Sequence, residues 1–204
     1  MLIDNESKIK ILSEEMVEVI SYLMEKKLLD STGGNVSVKI NENMFVITPS
    51  LASKNYFFKL NSDQLLVIDS NGQVLLGNGN VSRETKMHLA IYKSNNEITN
   101  IIHTHSDFSL IFATNSNEMP LKVDNVKKLK KLEVLDYAKA GSEELVEVAE
   151  TYFRNNVNKL PAAVLLKDHG LLVAGNSDLK STMELVERIE KNAKVALYGK
   201  CFSF

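Results

Sequence analysis

Short runs of alternating apolar and polar residues, joined by tight turns, constrain this chain more than any other feature. Val36, Val38 and Ile40 alternate with polar residues, which is the period of a half-buried strand. Ser70-Asn71-Gly72 is a strong hairpin signal between two further strands. Two hairpins are predicted, 36–40 with 44–48 and 65–69 with 73–76. Hairpins join antiparallel neighbours, so the pattern favours an antiparallel or mixed sheet over a doubly wound parallel one.

Longer segments carry apolar residues at three- and four-residue steps, which predicts helices that cover this sheet. The predicted helices are 6–29, 83–94, one that begins after Ser106, 143–154 and 179–199. Further strands are predicted at 100–104, 162–167 and 171–174. A chain of 204 residues is long enough for one domain with a substantial core and short for two.

The composition is that of a folded soluble protein rather than a disordered one, with 44% hydrophobic and 25% charged residues. A net charge of −2 argues against a dedicated nucleic-acid binder. No apolar run approaches the ~20 residues needed to cross a bilayer, so no membrane span is expected. The single cysteine, Cys201, excludes an intrachain disulfide, and the polar first residues do not resemble a secretory signal. The expected compartment is the cytoplasm.

Three of the four histidines lie at the ends of apolar segments predicted as strands. His103 and His105 are two residues apart, so both imidazoles point to the same face and can bind one metal ion. His169 precedes Gly170 and joins them if the two strands are neighbours. Three imidazoles with an open position form the usual catalytic zinc arrangement. The alternative is a set of ordinary surface histidines.

Glu84 and His88 are four residues apart and share one face of the helix predicted over 83–94. Glu84 is the candidate for acid–base chemistry, because a carboxylate near a metal-bound hydroxy-carbonyl can move a proton. The alternative is a carboxylate that only stabilises its helix N-terminus, by about 0.3–1 kcal/mol. His88 is interpreted as a structural histidine, hydrogen-bonded beneath the site.

Three small polar segments offer backbone N–H groups or hydroxyls that can hold an anion. They are Gly33-Gly34-Asn35, Thr48-Pro49-Ser50 and Ser82-Arg83. The last segment adds a helix N-terminus and a guanidinium, both suited to phosphate. Each segment is also explained as a plain turn or cap.

Together these segments resemble the class II aldolase/adducin family, and most closely its L-fuculose-phosphate aldolases. Five blocks occur in the family's order and use every histidine of the chain: 33–37, 47–50, 82–84 with His88, 102–105 and 169–170. The resemblance implies a single α/β domain over 1–204, with a central mixed, mainly antiparallel sheet between helix layers. It also implies a homotetramer with active sites at subunit interfaces.

The resemblance further implies a role for each matching position. The ligands of Zn2+, or of another divalent transition metal, correspond to His103, His105 and His169. The carboxylate that contacts the metal and acts as acid and base corresponds to Glu84. The residues that cradle the substrate phosphate correspond to Asn35, Ser50, Ser82 and Arg83.

The implied reaction cleaves a ketose 1-phosphate, of the L-fuculose 1-phosphate kind, into dihydroxyacetone phosphate and an aldehyde. The metal stabilises the enediolate that forms when the bond breaks. Glu84 disfavours a ribulose-5-phosphate 4-epimerase, because the family's epimerases typically carry aspartate there. Dehydration of methylthioribulose 1-phosphate stays open, since that reaction can use a glutamate. A non-enzymatic scaffold of the adducin kind is expected to lose the metal histidines, and this chain keeps them.

Three positions depart from the family's pattern. Leu51 stands where glycine is usual; leucine does not readily adopt a positive φ, so we expect one phosphate-binding N–H to be displaced. Arg83 replaces the second of two serines, which either compensates with charge or marks a different anion. Tyr137 does not clearly match the tyrosine that a neighbouring subunit supplies, and participation of Tyr137 or Tyr198 stays open.

Overall fold

Eight strands form one sheet in the computed structural model, which describes residues 5–31, 33–156 and 159–199. Cys201 lies outside the described residues. The strands are β1 Asn35–Asn41, β2 Met44–Ile47, β3 Leu66–Asp69, β4 Val74–Leu76, β5 Asn100–Thr104, β6 Val134–Leu135, β7 Ala162–Leu166 and β8 Gly170–Gly175. Their order in the sheet is β4-β3-β2-β1-β5-β8-β7-β6, and only β6 and β7 pair in parallel.

Helices cover both faces of this sheet. They are α1 Asn5–Glu25, α2 Ala52–Tyr56, α3 Thr85–Ser94, α4 Asp107–Asn115, α5 Glu143–Asn155 and α6 Leu179–Tyr198. Buried residues of α1, α4 and α6 share one apolar cluster with one face of the strands. Buried residues of α3 and α5 share a second cluster with the opposite face. A mixed, mainly antiparallel sheet between helix layers is therefore confirmed.

Strand residues divide between the two clusters because successive side chains of a strand point to opposite faces. In β2, Phe45 and Ile47 pack against the α3 and α5 layer, whereas Val46 packs against the α1 and α6 layer. In β5, Ile101 and Ile102 divide in the same way. Both faces of β7 and β8 are buried, which explains their continuous apolar sequence. Strand β1 alternates in sequence as a half-buried strand does, but residues 35–38 are buried on both faces because helices cover both sides of the sheet.

The first helix is shorter than predicted, and the expected end at residue 29 is wrong. It ends at Glu25, and Lys27 adopts a left-handed conformation with φ 57°. This conformation turns the chain so that Leu28 and Leu29 enter the core, where they are 3% and 1% exposed. Because both leucines are apolar, they extend the apolar spacing of the helix in the sequence. In the structure, however, a turn after the helix brings them into the core.

The helix predicted over 83–94 begins two residues late. Glu84 is its N-cap and Thr85 its first residue, so Glu84 does not lie inside the first turn. The N-cap position that Ser82 would occupy in a helix beginning at residue 83 is therefore taken by Glu84. Ser82 nevertheless stabilises the turn, because its hydroxyl accepts a hydrogen bond from Glu84 N at 3.2 Å. Among the described residues, no helix is long and apolar enough to span a membrane.

One edge of the sheet collects the segments singled out in the sequence. Antiparallel pairing sets the start of β1 opposite the end of β5, with Asn35 facing His103. The start of β8 lies beside the end of β5, with Leu171 facing Thr104. The turn from β7 into β8 therefore reaches the same edge, together with the end of β2.

Candidate metal centre and acid–base site

The three predicted histidines converge at this edge. His103 lies in β5, His105 follows β5, and His169 lies in the turn between β7 and β8. His103 Nε2 is 2.9 Å from His105 Nε2 and 3.3 Å from His169 Nε2. One ligand nitrogen from each ring lies within 4.8 Å of the others. The β5–β8 pairing that this convergence requires is present.

The orientation of His103 is set by a backbone carbonyl. Its Nδ1 lies 3.0 Å from Leu171 O, which can only accept, so Nδ1 carries the proton. In the neutral ring, Nε2 then presents its lone pair to the other two imidazoles. His103 is fully buried, and burial holds its pKa well below the usual value despite the nearby Glu84 carboxylate. Metal-ligating histidines are typically neutral, and the ring nitrogen that does not bind the metal typically donates to a carbonyl or carboxylate.

Two glycines allow the imidazoles to lie so close to the backbone. A Cβ on Gly33 would lie 2.8 Å from His105 Cε1, and Gly33 has φ 143°. A Cβ on Gly170 would lie 2.3 Å from Thr104 O and 3.1 Å from His105 Cδ2, at φ 156°. Any side chain at either position would displace His105 or strand β5, so both glycines serve the histidine cluster directly.

Glu84 faces the same cluster from the start of α3. Its Oε1 lies 2.9 Å from His169 Nε2, and its Oε2 lies 3.6 Å from His103 Nε2. Asn35 Nδ2 donates to Oε2 at 2.5 Å. Burial alone would raise the pKa of Glu84, but the two histidines and the Asn35 hydrogen bond outweigh burial and lower it. The carboxylate is therefore ionised at neutral pH, although it is only 9% exposed.

His88 lies in the core and is not one of the clustered histidines. Its Nδ1 is 2.7 Å from Ser37 Oγ, which is in turn 2.9 Å from the Tyr92 hydroxyl. Burial lowers the pKa of His88 to about 4, so the ring is neutral. This contact agrees with the structural role expected for His88 beneath the site.

Two of the three segments predicted to hold an anion lie together, next to Glu84. A bridge between Pro49 and Val81 and a 2.7 Å hydrogen bond from Ser50 N to Asn80 O bring the second and third segments together. Arg83 is exposed, and Gly141 packs against its side chain, where a Cβ would lie 3.0 Å from Arg83 Cβ. Asn35 differs from the other residues expected to bind phosphate, because its side-chain amide is buried and donates a hydrogen bond to Glu84.

Leu51 adopts a positive φ, although this region is sterically unfavourable for leucine. It has φ 57° and ψ 28°, directly before α2, and its side chain is 58% exposed. The backbone therefore takes the conformation that glycine would take, with a strain of ~1–3 kcal/mol. The exposed side chain explains how the site accommodates leucine.

The two tyrosines left open are both exposed at the surface. Tyr137 is 66% exposed and follows β6, whose Leu135 pairs with Leu166 at the edge that carries the histidines. Tyr198 is 50% exposed and contacts the Phe108 ring edge-on, with centroids 5.9 Å apart. No local sequence pattern predicts the contacts of Asn35 with Glu84 or of Ser37 with His88, since 49 and 51 residues separate the partners.

The donor set fits a divalent transition metal. Three imidazole nitrogens converge, one ring is held with its lone pair toward the others, and an anionic carboxylate lies within 3.6 Å. Imidazole ligands suit zinc and also other first-row metals such as iron, nickel or copper. The His169 Nδ1 atom is buried without a hydrogen-bond partner in the described structure.

Comparisons with known proteins find relatives that match most of the chain. The pattern described as "Class II Aldolase and Adducin N-terminal domain" matches residues 14–197. The L-fuculose phosphate aldolase of Methanocaldococcus jannaschii is 33% identical over 185 residues, covering 90% of this chain and 94% of its own. The 3-oxo-tetronate 4-phosphate decarboxylase of Haemophilus influenzae is 31% identical over 188 residues, covering 89% of this chain and 85% of its own.

A solved structure extends the likeness to three dimensions. An L-fuculose 1-phosphate aldolase superposes with a TM-score of 0.82 at 30% identity, covering 95% of this chain and 88% of that structure. From matches over this much of its length, the chain belongs to the class II aldolase and adducin family.

Proposed function

We propose that this protein is a metal-dependent aldolase that cleaves a ketose 1-phosphate into dihydroxyacetone phosphate and an aldehyde. A substrate of the L-fuculose 1-phosphate kind is favoured by the relatives. The family match and those relatives indicate a lyase-type sugar-phosphate aldolase. The observation that carries the proposal is the convergence of three imidazole Nε2 atoms with the Glu84 carboxylate at one edge of the sheet.

The proposed ligands of the metal are His103, His105 and His169, and the proposed metal is zinc. When bound, the metal supplies positive charge near substrate oxygens that become negative as a carbon–carbon bond breaks. The Leu171 carbonyl orients His103 so that its Nε2 faces the other two imidazoles.

Glu84 is proposed as the group that removes and returns the substrate proton. Asn35 fixes the carboxylate through Oε2, and Oε1 points to the imidazole cluster at 2.9 Å from His169 Nε2. A substrate held at the open side of the cluster would therefore lie within reach of an ionised carboxylate, as a general base requires. Burial of Glu84 keeps bulk water away from this proton.

Phosphate binding is proposed for Asn35, Ser50, Ser82 and Arg83. The Ser50 backbone N–H is bonded to Asn80 O, so Ser50 would contribute its hydroxyl. The Asn35 amide is engaged with Glu84, so its role would be to bridge the phosphate region and the carboxylate. Arg83 is the charged member, and its exposed guanidinium can reach an anion that enters from solvent.

We also propose a cytoplasmic homotetramer with active sites at its subunit interfaces. Family membership supports this assembly. Exposure of Tyr137 at the histidine edge is compatible with a contribution to a neighbouring subunit's site.

Decarboxylation of a 3-oxo sugar-acid phosphate is a second candidate, favoured by the Haemophilus influenzae relative. Loss of carbon dioxide leaves an electron pair beside the substrate carbonyl, so this reaction develops negative charge at the same place as an aldol cleavage. Dehydration and 4-epimerisation keep the carbon skeleton intact. Their products therefore distinguish them from aldol cleavage and from decarboxylation.

The test is a product assay on the zinc-loaded protein. The panel contains fuculose 1-phosphate, rhamnulose 1-phosphate, ribulose 1-phosphate, methylthioribulose 1-phosphate and 3-oxo-tetronate 4-phosphate. Dihydroxyacetone phosphate, aldehyde and carbon dioxide are measured separately, because decarboxylation of the last substrate also yields a three-carbon phosphate. We expect equal amounts of dihydroxyacetone phosphate and aldehyde, lost with a chelator and restored by zinc.

Carbon dioxide without aldehyde would replace the aldolase with the decarboxylase. Consumption of methylthioribulose 1-phosphate with no three-carbon product would replace it with the dehydratase. Turnover that is unchanged after complete metal removal would contradict every metal-dependent reading.

A further inference from the structure

Glu190 on α6 forms hydrogen bonds with the segment that directly follows His105. Its Oε1 accepts from Phe108 N at 2.8 Å, and its Oε2 accepts from Ser109 N at 2.9 Å. Oε2 also accepts from two hydroxyls, Ser106 Oγ at 3.0 Å and Ser109 Oγ at 2.6 Å. One carboxylate thus receives four hydrogen bonds from a single turn of chain that is 81 to 84 residues away in sequence.

These bonds replace the cap that α4 would normally supply for itself. The first N–H groups of a helix have no partners within the helix and need acceptors. Ser106 is the N-cap of α4, but its side chain makes no capping hydrogen bond and donates to Glu190 instead. An anion at this position also interacts favourably with the positive end of the helix dipole.

His105 depends on this anchor more than the other two histidines do. His103 lies within β5 and pairs with strands on both sides. His169 N donates to Leu166 O at 3.0 Å, which fixes it in the tight β7–β8 turn. His105 lies between the end of β5 and the start of α4, so the position of its backbone follows that of the α4 N-terminus. Ser106 and Ser109, which Glu190 binds, are 3% and 0% exposed.

We infer that Glu190 is a positioning residue for His105: it fixes the α4 N-terminus so that the third imidazole meets the other two. This inference rests on the metal site of the proposed function. Glu190 does not belong to the histidine cluster and acts through the backbone of 106–109. Removal of the carboxylate would let the α4 N-terminus shift away from α6 and move His105 with it.

The test compares metal affinity in wild-type, Glu190→Gln and Glu187→Gln proteins, each prepared without metal. Glu187 is the matched control, because it lies one turn earlier on α6 and accepts from the Tyr22 hydroxyl at 3.0 Å. The probe is Zn2+ alone, titrated at a temperature where each apoprotein is folded by circular dichroism. We expect Glu190→Gln to weaken Zn2+ binding by about 10- to 100-fold, which is the usual range for residues that orient metal ligands. Glu187→Gln should stay within about twofold of wild type.

A spectroscopic readout separates positioning from simple loss of stability. With Co2+ in place of Zn2+, displacement of one imidazole should change the visible absorption of Glu190→Gln but not of Glu187→Gln. Ser109→Ala removes one of the four donors and should give a smaller change in the same direction, which provides a test if Glu190→Gln does not fold. Unchanged affinity and spectrum in a folded Glu190→Gln protein, or in Ser109→Ala if the first does not fold, would overturn the inference. Absence of metal binding by the wild type would overturn the proposed metal site as well.

Discussion

Glu84 combines two properties that usually exclude each other, deep burial and a negative charge. Hydrogen bonding from Asn35 and the proximity of His103 and His169 offset the burial that would otherwise favour the neutral acid. The carboxylate is thus held in its basic form at a fixed position beside the imidazoles. This is the arrangement that proton transfer at a metal centre requires.

Glu84→Gln should separate proton transfer from metal binding. The amide has the same shape, and the three imidazoles stay in place, so we expect most of the bound metal to be retained. Turnover should fall by about 10²- to 10⁴-fold, which is the usual contribution of a general acid–base group. The measurement is kcat together with metal content on the same preparation. A rate near wild type would move the acid–base role to another residue.

His88 should make the protein less stable in acid. Burial lowers its pKa to about 4, below the usual histidine value of 6.5, so the unfolded chain binds a proton more readily than the folded one. The contribution of His88 to stability is therefore complete above pH 6.5 and is lost as pH falls toward 4, at up to roughly 1.4 kcal/mol per pH unit.

The check is urea denaturation of the metal-free protein between pH 7 and pH 4.5. His88→Gln keeps a hydrogen-bonding group for Ser37 but cannot titrate, so its unfolding free energy should fall less steeply than that of the wild type. Parallel pH profiles for the two proteins would show that His88 is not the titrating group.

At the scale of elements, α2 begins from a strained residue. Leu51 precedes it in the left-handed region with φ 57°, where glycine has no steric penalty. Because the leucine side chain is 58% exposed, little apolar burial is lost on its removal. We expect Leu51→Gly to raise the unfolding free energy by about 0.5–1 kcal/mol, after the entropy cost of glycine is subtracted.

Leu51→Ala is the matched control, because it removes the same side chain but keeps the Cβ that causes the strain. It should be no more stable than the wild type in chemical denaturation. Equal stabilisation by glycine and alanine would attribute the effect to the exposed side chain rather than to the backbone.

Local patterns predict the hairpins and the helices that flank them, because each depends on residues close in sequence. The strand predicted over 100–104 and the helix predicted over 143–154 agree with the structure for this reason. The short elements α2 and β6 are not predicted, since five and two residues are too few for a period. The end of α1 is missed because Leu28 and Leu29 look helical but are buried by a turn.

The sequence predicts the individual residues of the site, but local patterns do not predict that these residues come together. The spacing of His103 and His105 fixes their shared face, whereas convergence with His169 depends on β5 and β8 being neighbours. Long-range pairing of this kind leaves no mark in local periodicity, and the family resemblance supplied it. The contact of Glu190 with the α4 N-terminus spans more than 80 residues and has no signature in the sequence.

At the scale of the whole molecule, the sheet brings distant segments to one edge, and the proposed chemistry depends on this convergence. The β1 start supplies Asn35, the α3 start supplies Glu84, and the β5 end and the β7–β8 turn supply the imidazoles. The central claim is therefore that this edge holds a metal through three histidines.

The most direct test is the metal content of the purified protein and three variants, measured by mass spectrometry after incubation with zinc and removal of unbound metal. We predict about one zinc per chain for the wild type and for His88→Gln, since the fourth histidine lies outside the cluster. His103→Ala and His169→Ala should each lose both the metal and the activity, because each removes one of three ligands. Full metal occupancy in folded His103→Ala or His169→Ala protein would contradict the three-histidine site.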